Sequence, residues 1–411
     1  MRNEKTFMKI GYIVTTFPSR TETFAIREIE GLRKLGFVVI VLAATSHKQP
    51  NKSTAANKIY YRPFRFSAAA FLSVCYLFIR HPLALGRLLH LVLLILRECP
   101  REAVSLIGNL HTIGFFARHI ERESISHIHS YFLNWPAIIG LGLSAVTNRP
   151  FSISAHARDI FVEQGALKLK TSRAKFVTTC TRQGLKHLKA SLPAEYHTKL
   201  YLCYHGIRTL AEYFEHNNEN TPKSECYNTI AAVGRMVRKK GFIELIKAFA
   251  LVVREKPNCR LMIVGNGPGQ KQLIELIEQL ALKDNVELLG WQISDTTLQI
   301  IKHATILVAP SLIAEDGDRD GIPNVILEAF ASCTPVIASN LDGITEVVEH
   351  YKTGLLVEPG DIPALASAIK RLLDNRNLQN RLSQMAYKTV VESFGFIKNT
   401  KQLADLFINT N

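Results

Sequence analysis

Residues 229–269 read TIAAVGRMVRKKGFIELIKAFALVVREKPNCRLMIVGNGPG, and their pattern decides the fold class. The run TIAAVG (229–234) is short, apolar and closed by a glycine. A basic loop follows it, and apolar residues at helical spacing then extend from Phe242 to Val253. The next run, RLMIVG (260–265), again ends in glycine, and the turn GNGPG leads into a second helical pattern over Gly269–Leu282. Short apolar runs alternating with amphipathic helices are the signature of βαβ units and a parallel sheet.

The alternation continues on both sides. Downstream come NVELLG (285–290), a helix near Thr296–His303, TILVAP (305–310) and a helix opening at about Pro323. PVIAS (335–339), TGLLVEPGD (353–361) and terminal helices follow. Upstream, KIGYIVTT (9–16) precedes a helix over Thr23–Lys34 that stops at Gly36, the residue type expected just past a helix end. FVVIVLA (37–43), HIHSYF (127–132), FSISAH (151–156), KFVTTC (175–180) and KLYLCYHG (199–206) read as further strands. The polar segment Thr209–Tyr227 reads as a linker. The expected fold is α/β, with two Rossmann-like, doubly wound parallel-sheet domains facing across a cleft. The first covers 1–208, with a helical insert at about 64–122, and the second covers 209–394. A helix at about 395–411 is expected to pack back on the first. Ligands of open α/β sheets bind at the carboxyl ends of the strands, so the cleft is the expected active site.

A length of 411 residues and a 47% hydrophobic share suit two packed cores. The seven cysteines, at 75, 99, 180, 203, 226, 259 and 333, are scattered without a CxxC pair, which fits free thiols in a reducing compartment. The opening MRNEKTFMKIGYIVTTFP runs into a strand-like segment and carries no secretory pattern, so the expected location is cytoplasmic. Charge is unevenly placed: residues 1–210 hold 29 basic and 11 acidic side chains, the remainder 21 and 24. A basic first half points to an anionic partner, and peripheral contact with the inner face of an anionic membrane is the expectation. Basic repeats interleaved with aromatics are absent, so no nucleic-acid partner is expected. Phe64–Leu96 holds apolar runs broken by Arg80, His81, Pro82 and Arg87. It is too interrupted for a span of roughly 20 residues. It reads as ordinary buried helices or as a helical hairpin lying in the membrane interface.

Three stretches carry chemistry. In the loop after 229–234, Arg235 and Lys240 can present a bidentate fork and a mobile point charge to a diphosphate, stabilising it as a leaving group without a metal. After 260–265, Gly265 and Gly267 allow close backbone approach to a base or phosphate. In Asp320-Gly321-Ile322-Pro323-Asn324-Val325, proline at the first helical position makes Gly321–Val325 a helix start whose free N–H groups suit an anion. Asp320 and Glu328 can accept hydrogen bonds from sugar or ribose hydroxyls. Asp316, Asp318, Asp320 and Gly321 also match the opening of a calcium loop, but the acid needed at the twelfth position is Leu327, so no metal is expected.

Taken in order, GRMVRKKG, GNGPG, DGIPNVILEAFASCTPVIAS and DGITEVVEHYKTGLLVEPGD resemble the donor half of the retaining family-4 glycosyltransferases of GT-B fold. FPSRTETFAIREIEGLRKLG, HIHSYF and SAHARDI resemble the subgroup that builds exopolysaccharide, including colanic-acid-type transferases. The resemblance implies that Arg235 and Lys240 bind the donor diphosphate and that Glu328 holds the ribose. The first acid of the family's E-x7-E motif falls on Asp320, one methylene shorter than the usual Glu. His156 matches the family's histidine beside the donor sugar, with Asp159 orienting the same loop. Glu346, in the loop 343–347, falls near the donor. By its place at the carboxyl end of the first strand, the Thr21–Phe24 loop, with Thr21, Glu22 and Thr23, is the expected acceptor floor, while His129 and His205 read as architectural.

The implied reaction is retaining transfer of a hexosyl group from a UDP- or GDP-linked sugar to a lipid-linked or saccharide acceptor in surface polysaccharide biosynthesis. The nucleotide sugar is a co-substrate, and no cofactor is implied. An inverting course would need a general base, for which His156 and Asp159 are candidates. A nucleotide-sugar 2-epimerase and a non-catalytic nucleotide-sugar-binding or scaffold protein are the alternatives on the same architecture.

Overall fold

The computed structural model describes residues 8–19, 23–46, 55–208 and 228–410. The chain divides into two units, residues 1–206 with 397–411 and residues 207–396.

In the first unit the order is β1 (Lys9–Thr16), α1 (Thr23–Lys34), β2 (Val38–Thr45), β3 (Lys58–Tyr61), α2 (Ala68–Arg80), α3 (Pro82–Glu98), α4 (Pro100–Gly108) and α5 (Leu110–Arg122). Then come β4 (His127–Tyr131), α6 (Trp135–Thr147), β5 (Phe151–Ala155), α7 (Ala157–Phe161), α8 (Leu167–Arg173), β6 (Val177–Thr179), α9 (Arg182–Ser191) and β7 (Leu200–Leu202). The strands form one parallel sheet in the order β3-β2-β1-β4-β5-β6-β7. Strand β1 is central and covered on both faces, so Ile10–Val14 are buried without alternation, as expected of an interior parallel strand. The strand order reverses between β1 and β4, which makes their carboxyl ends the switch point where a ligand crevice opens. Strand β3 was not among the expected strands.

The insert between β3 and β4 is four helices. Ala70, Ser73 and Leu77 of α2, and Ala84, Leu88, Leu91 and Ile95 of α3, pack inward. Their other faces stay in solvent: Phe71 is 70% exposed, Ile79 81% and Leu83 85%. The helices are therefore not ordinary buried ones, because only one side of each has protein to pack against. Nor do they form a hairpin, since α2 and α3 meet at a bend of 106°. Among the described residues no single helix is long and apolar enough to cross a membrane.

The second unit runs β8 (Thr229–Val233), α10 (Phe242–Glu255), β9 (Arg260–Val264), α11 (Gln270–Gln279), β10 (Val286–Gly290), α12 (Ser294–His303) and β11 (Ile306–Ala309). It continues with α13 (Asn324–Ala331), β12 (Val336–Ser339), α14 (Asp342–Thr345), β13 (Leu355–Val357), α15 (Ile362–Asp374) and α16 (Arg376–Ser393). Its parallel sheet has the order β10-β9-β8-β11-β12-β13, with the reversal between β8 and β11. The last helix, α17 (Phe396–Asn409), returns to the first unit. Its Phe407 is fully buried, with ring centroids 5.1 Å from His127, 5.2 Å from His129 and 5.3 Å from Phe176.

Candidate functional site

In the second unit the sequence-derived residues gather at the β8/β11 switch point. The loop after β8 turns through Arg238–Lys240 and enters α10 at Gly241, whose φ is +65°. A Cβ there would lie 1.8 Å from the Pro310 carbonyl oxygen, so the loop after β8 is pressed against the loop after β11. The Leu312 N–H donates to the Lys239 carbonyl at 2.7 Å and fastens the two loops. This contact sets two lysines over two aspartates. The Lys239 ammonium lies 2.9 Å from Asp318 Oδ1 and 3.6 Å from Asp320 Oδ1, and the Lys240 ammonium donates to Asp320 Oδ2 at 2.7 Å. The Ser311 hydroxyl donates to the same Asp320 oxygen at 2.8 Å. Burial alone would raise the Asp320 carboxyl. Lys240 and Lys239, with the hydrogen bonds from Lys240 and Ser311, outweigh it and hold the group below its ordinary value.

The structure thus joins Lys240 and Asp320, which the sequence reading had assigned to different parts of a donor. It also adds Lys239, Asp318 and Ser311, which that reading had not placed in the site. Arg235 is exposed at the carboxyl end of β8. Arg235, Lys239 and Lys240 against Asp318 and Asp320 leave one positive charge in excess.

Two expectations gain detail here. Gly265 and Gly267 have a packing reason to be small, beside the one read in the sequence. Cβ atoms there would lie 1.9 Å from the Gly234 carbonyl oxygen and 2.6 Å from the Met236 carbonyl oxygen, so the glycines admit a neighbouring loop. The Met236 N–H donates to Asn266 O and the Gly269 N–H to Met236 O, each at 2.9 Å, which locks that packing. Pro323 is the residue before α13, with ψ at 124°, and helical geometry begins at Asn324. The N–H groups of the helix start are therefore those of Asn324, Val325 and the residues just after them. Gly321 and Ile322 form the loop leading in, and a Cβ on Gly343 would meet the Gly321 carbonyl oxygen at 2.6 Å. Glu328 is half-buried at the start of the second turn of α13.

In the first unit, His156 caps α7 just past β5. Its backbone N–H donates to Asp159 Oδ1 at 2.7 Å, and the other Asp159 oxygen accepts the Leu133 N–H. Asp159 therefore ties the loop after β4 to the loop after β5. Burial pushes its carboxyl up to about 7, against the N–H donors from Leu133 and His156 and the charge of Lys170. The His156 ring sits in an aromatic cage: Phe132 at 4.7 Å, Tyr131 at 4.8 Å, Phe24 at 5.3 Å and His205 at 5.3 Å, the last stacked nearly parallel at 6°. Burial, then the His205 and His129 rings, push His156 well below the ordinary imidazole value. Burial and Arg27 take His205 down to about 3. Both imidazoles are neutral near pH 7, so His156 presents ring nitrogens and not a positive charge, and its Nδ1 is buried without a hydrogen-bond partner among the described residues.

His205, read as architectural, is stacked on the candidate residue itself. His129 is buried with its ring nitrogens on Ser152 Oγ and Ser154 Oγ, at 2.8 and 3.0 Å, inside the sheet. Thr23 opens α1, while Thr21 and Glu22 lie outside the described residues. Lys170, unmarked in the sequence reading, is fully buried. Its ammonium donates to Leu133 O and Gly165 O at 2.6 Å each and to Glu102 Oε1 at 2.5 Å, which pins insert helix α4 to the same loops.

Residues 214–389 match the model of Glycosyl transferases group 1. The second unit carries a group 1 glycosyltransferase domain. Curated relatives of this group 1 domain include a lipopolysaccharide core biosynthesis glycosyltransferase of Rhizobium meliloti, 34% identical over 43% of this chain and 48% of its own. A putative colanic acid biosynthesis glycosyltransferase of Salmonella typhimurium is 33% identical over 43% of each chain. Both matches thus span less than half of the relative's length. Among solved structures, Anabaena HepE in complex with UDP-glucose has a TM-score of 0.70 at 16% identity, covering 98% of this chain and all of that one. Sucrose-phosphate synthase of Thermosynechococcus elongatus has a TM-score of 0.70 at 20% identity, covering 98% of each chain. These likenesses cover nearly the whole chain and show its fold, two Rossmann-like parallel-sheet units of the GT-B class.

Proposed function

We propose that this chain is a glycosyltransferase of surface polysaccharide biosynthesis, moving a hexosyl group from a UDP- or GDP-linked donor to a lipid-linked or saccharide acceptor in the cytoplasm. The observation that carries the reading is the paired Lys239–Lys240 and Asp318–Asp320 cluster at the β8/β11 switch point of a group 1 domain.

In this reading Arg235, Lys240 and the first N–H groups of α13 hold the donor diphosphate, and Glu328 accepts from the ribose hydroxyls. Asp320 shares its carboxylate between Lys240 and a hydroxyl of the donor sugar. Fixed positive charge and oriented amides stabilise the charge that grows on the diphosphate as the anomeric C–O bond breaks, the part a metal ion would otherwise take. A carboxylate pair of the glycosidase kind is not among the motifs, which argues against a covalent glycosyl-enzyme, and the retaining course is taken from the family resemblance. The acceptor oxygen bonds to the anomeric carbon on the face the diphosphate leaves, and its proton passes to a diphosphate oxygen. His156, neutral and caged, donates to or accepts from a sugar hydroxyl.

The test is a panel of UDP and GDP sugars with lipid-diphosphate and saccharide acceptors, the product's anomeric form being read by NMR. A new glycosidic bond with the donor's anomeric configuration is expected. Inverted product would remove the retaining course. Donor turnover without acceptor would make the protein an epimerase, and donor binding without any transfer a non-catalytic member.

A further inference from the structure

We propose that the exposed side of the helices α2–α4 is a docking surface for an anionic lipid bilayer, on which these helices lie in the headgroup layer. Of the twenty large hydrophobic side chains exposed among the described residues, twelve fall within residues 64–107. They are ordered along the helices. On α2, Phe71, Leu72, Phe78 and Ile79 share one stripe, at positions i, i+1, i+7 and i+8, while Ala70, Ser73 and Leu77 face the core. On α3, Leu89, Leu93 and Leu96 recur at spacings of four and three, away from the buried Leu88, Leu91 and Ile95. Leu83, 85% exposed, sits at the bend between the two helices. A clustered apolar surface of this kind marks an interaction site, because water would otherwise order over it at a cost that scales with area.

Charge selects the occupant. Residues 64–108 contain five arginines, Arg65, Arg80, Arg87, Arg97 and Arg101, all exposed, against two acids, the exposed Glu98 and Glu102, which is held by Lys170. An apolar stripe flanked by cations suits a helix in the interfacial plane, with rings and aliphatic chains in the acyl boundary and guanidinium groups on lipid phosphates. A second copy of the chain would bring five arginines against themselves with Glu98 as the one exposed acid of the patch to pair them. Neither helix is long enough to span by itself: α2 has 13 residues, α3 has 17, and the 106° bend between them suits two helices lying along a surface.

Docking needs neither donor nor turnover, so it fails or succeeds separately from the transferase reading. The test floats the full chain with vesicles of phosphatidylcholine alone or with added phosphatidylglycerol, at low and high salt. The parent should float with the anionic vesicles, and the bound fraction should fall as salt rises. Phe78→Ser with Ile79→Asn should weaken binding about tenfold or more, and Leu83→Ser in the same direction, with unchanged circular dichroism and unfolding. Arg80→Gln and Arg87→Gln should each cost about fivefold at low salt. The inference is overturned if the parent stays off anionic vesicles at low salt, or if the folded variants float as well as the parent. It also falls if light scattering shows a lipid-free dimer that the Phe78/Ile79 variant converts to a monomer.

Discussion

The carboxylate of Asp320 answers to two lysines and a serine, and this sets different fates for the two lysines. On the proposed function, Lys240→Ala should lower kcat/KM for transfer by about a hundredfold, since that reading assigns its charge to the leaving diphosphate. Lys239→Ala leaves Asp318 buried beside a missing partner, so its main effect should be on folding, about 3 kcal/mol in urea denaturation. Asp159 supplies a pH signature. Its carboxyl, ordinarily at 3.8, is raised to about 7 in the folded chain, so the native state holds the proton more tightly than the unfolded one. Its contribution to stability is full below about pH 3.8 and is lost as pH rises through 7. Asp159→Asn stays neutral throughout. Relative to the parent, the variant should gain stability between acidic and mildly alkaline pH, measured by denaturant midpoints across that range.

At the scale of elements, the loop between β8 and α10 is held where a side chain does not fit. Gly241→Ala must move away from the Pro310 carbonyl oxygen and abandon a left-handed backbone, at a cost of about 2 kcal/mol. Because Lys239 and Lys240 ride on that loop, the same variant should bind UDP more weakly, which calorimetric titration would register. The element pattern explains what the sequence made legible. Strand β1 and helix α1 are readable because burial on both faces of a central strand leaves a continuous apolar run, and a glycine ends the helix. Strand β3 escaped because it is four residues at the sheet edge, KIYY, with none of them fully buried and only β2 as a neighbour. The roles of Lys239 and Lys170 were invisible for another reason. Their partners, Asp318 and Glu102, lie 79 and 68 residues away, and a run of basic letters does not say which lysine turns inward. The stacked His205 escaped likewise, since its company of Phe24 and His156 assembles only when the ends of three segments meet.

For the molecule as a whole, the unusual feature is that one unit is made of two separated stretches of chain. Phe407 fills a pocket against His127, His129 and Phe176, far from it in sequence. Phe407→Ala should cost about 3–4 kcal/mol, felt in the unfolding of the first unit. UDP binding to the second unit, followed by calorimetry, should persist at temperatures where the variant's first unit has begun to melt.

That arrangement also bears on how the polypeptide is made. While the ribosome is still adding residues 207–396, the early sheet has an open seat where Phe407 belongs, and its histidines and Phe176 stay wet. At roughly 5–20 residues per second the wait is on the order of 10–40 s. The first half to be synthesised is thus the last to be sealed, and the faster the chain is elongated, the shorter the interval in which the unfinished sheet is open to its neighbours.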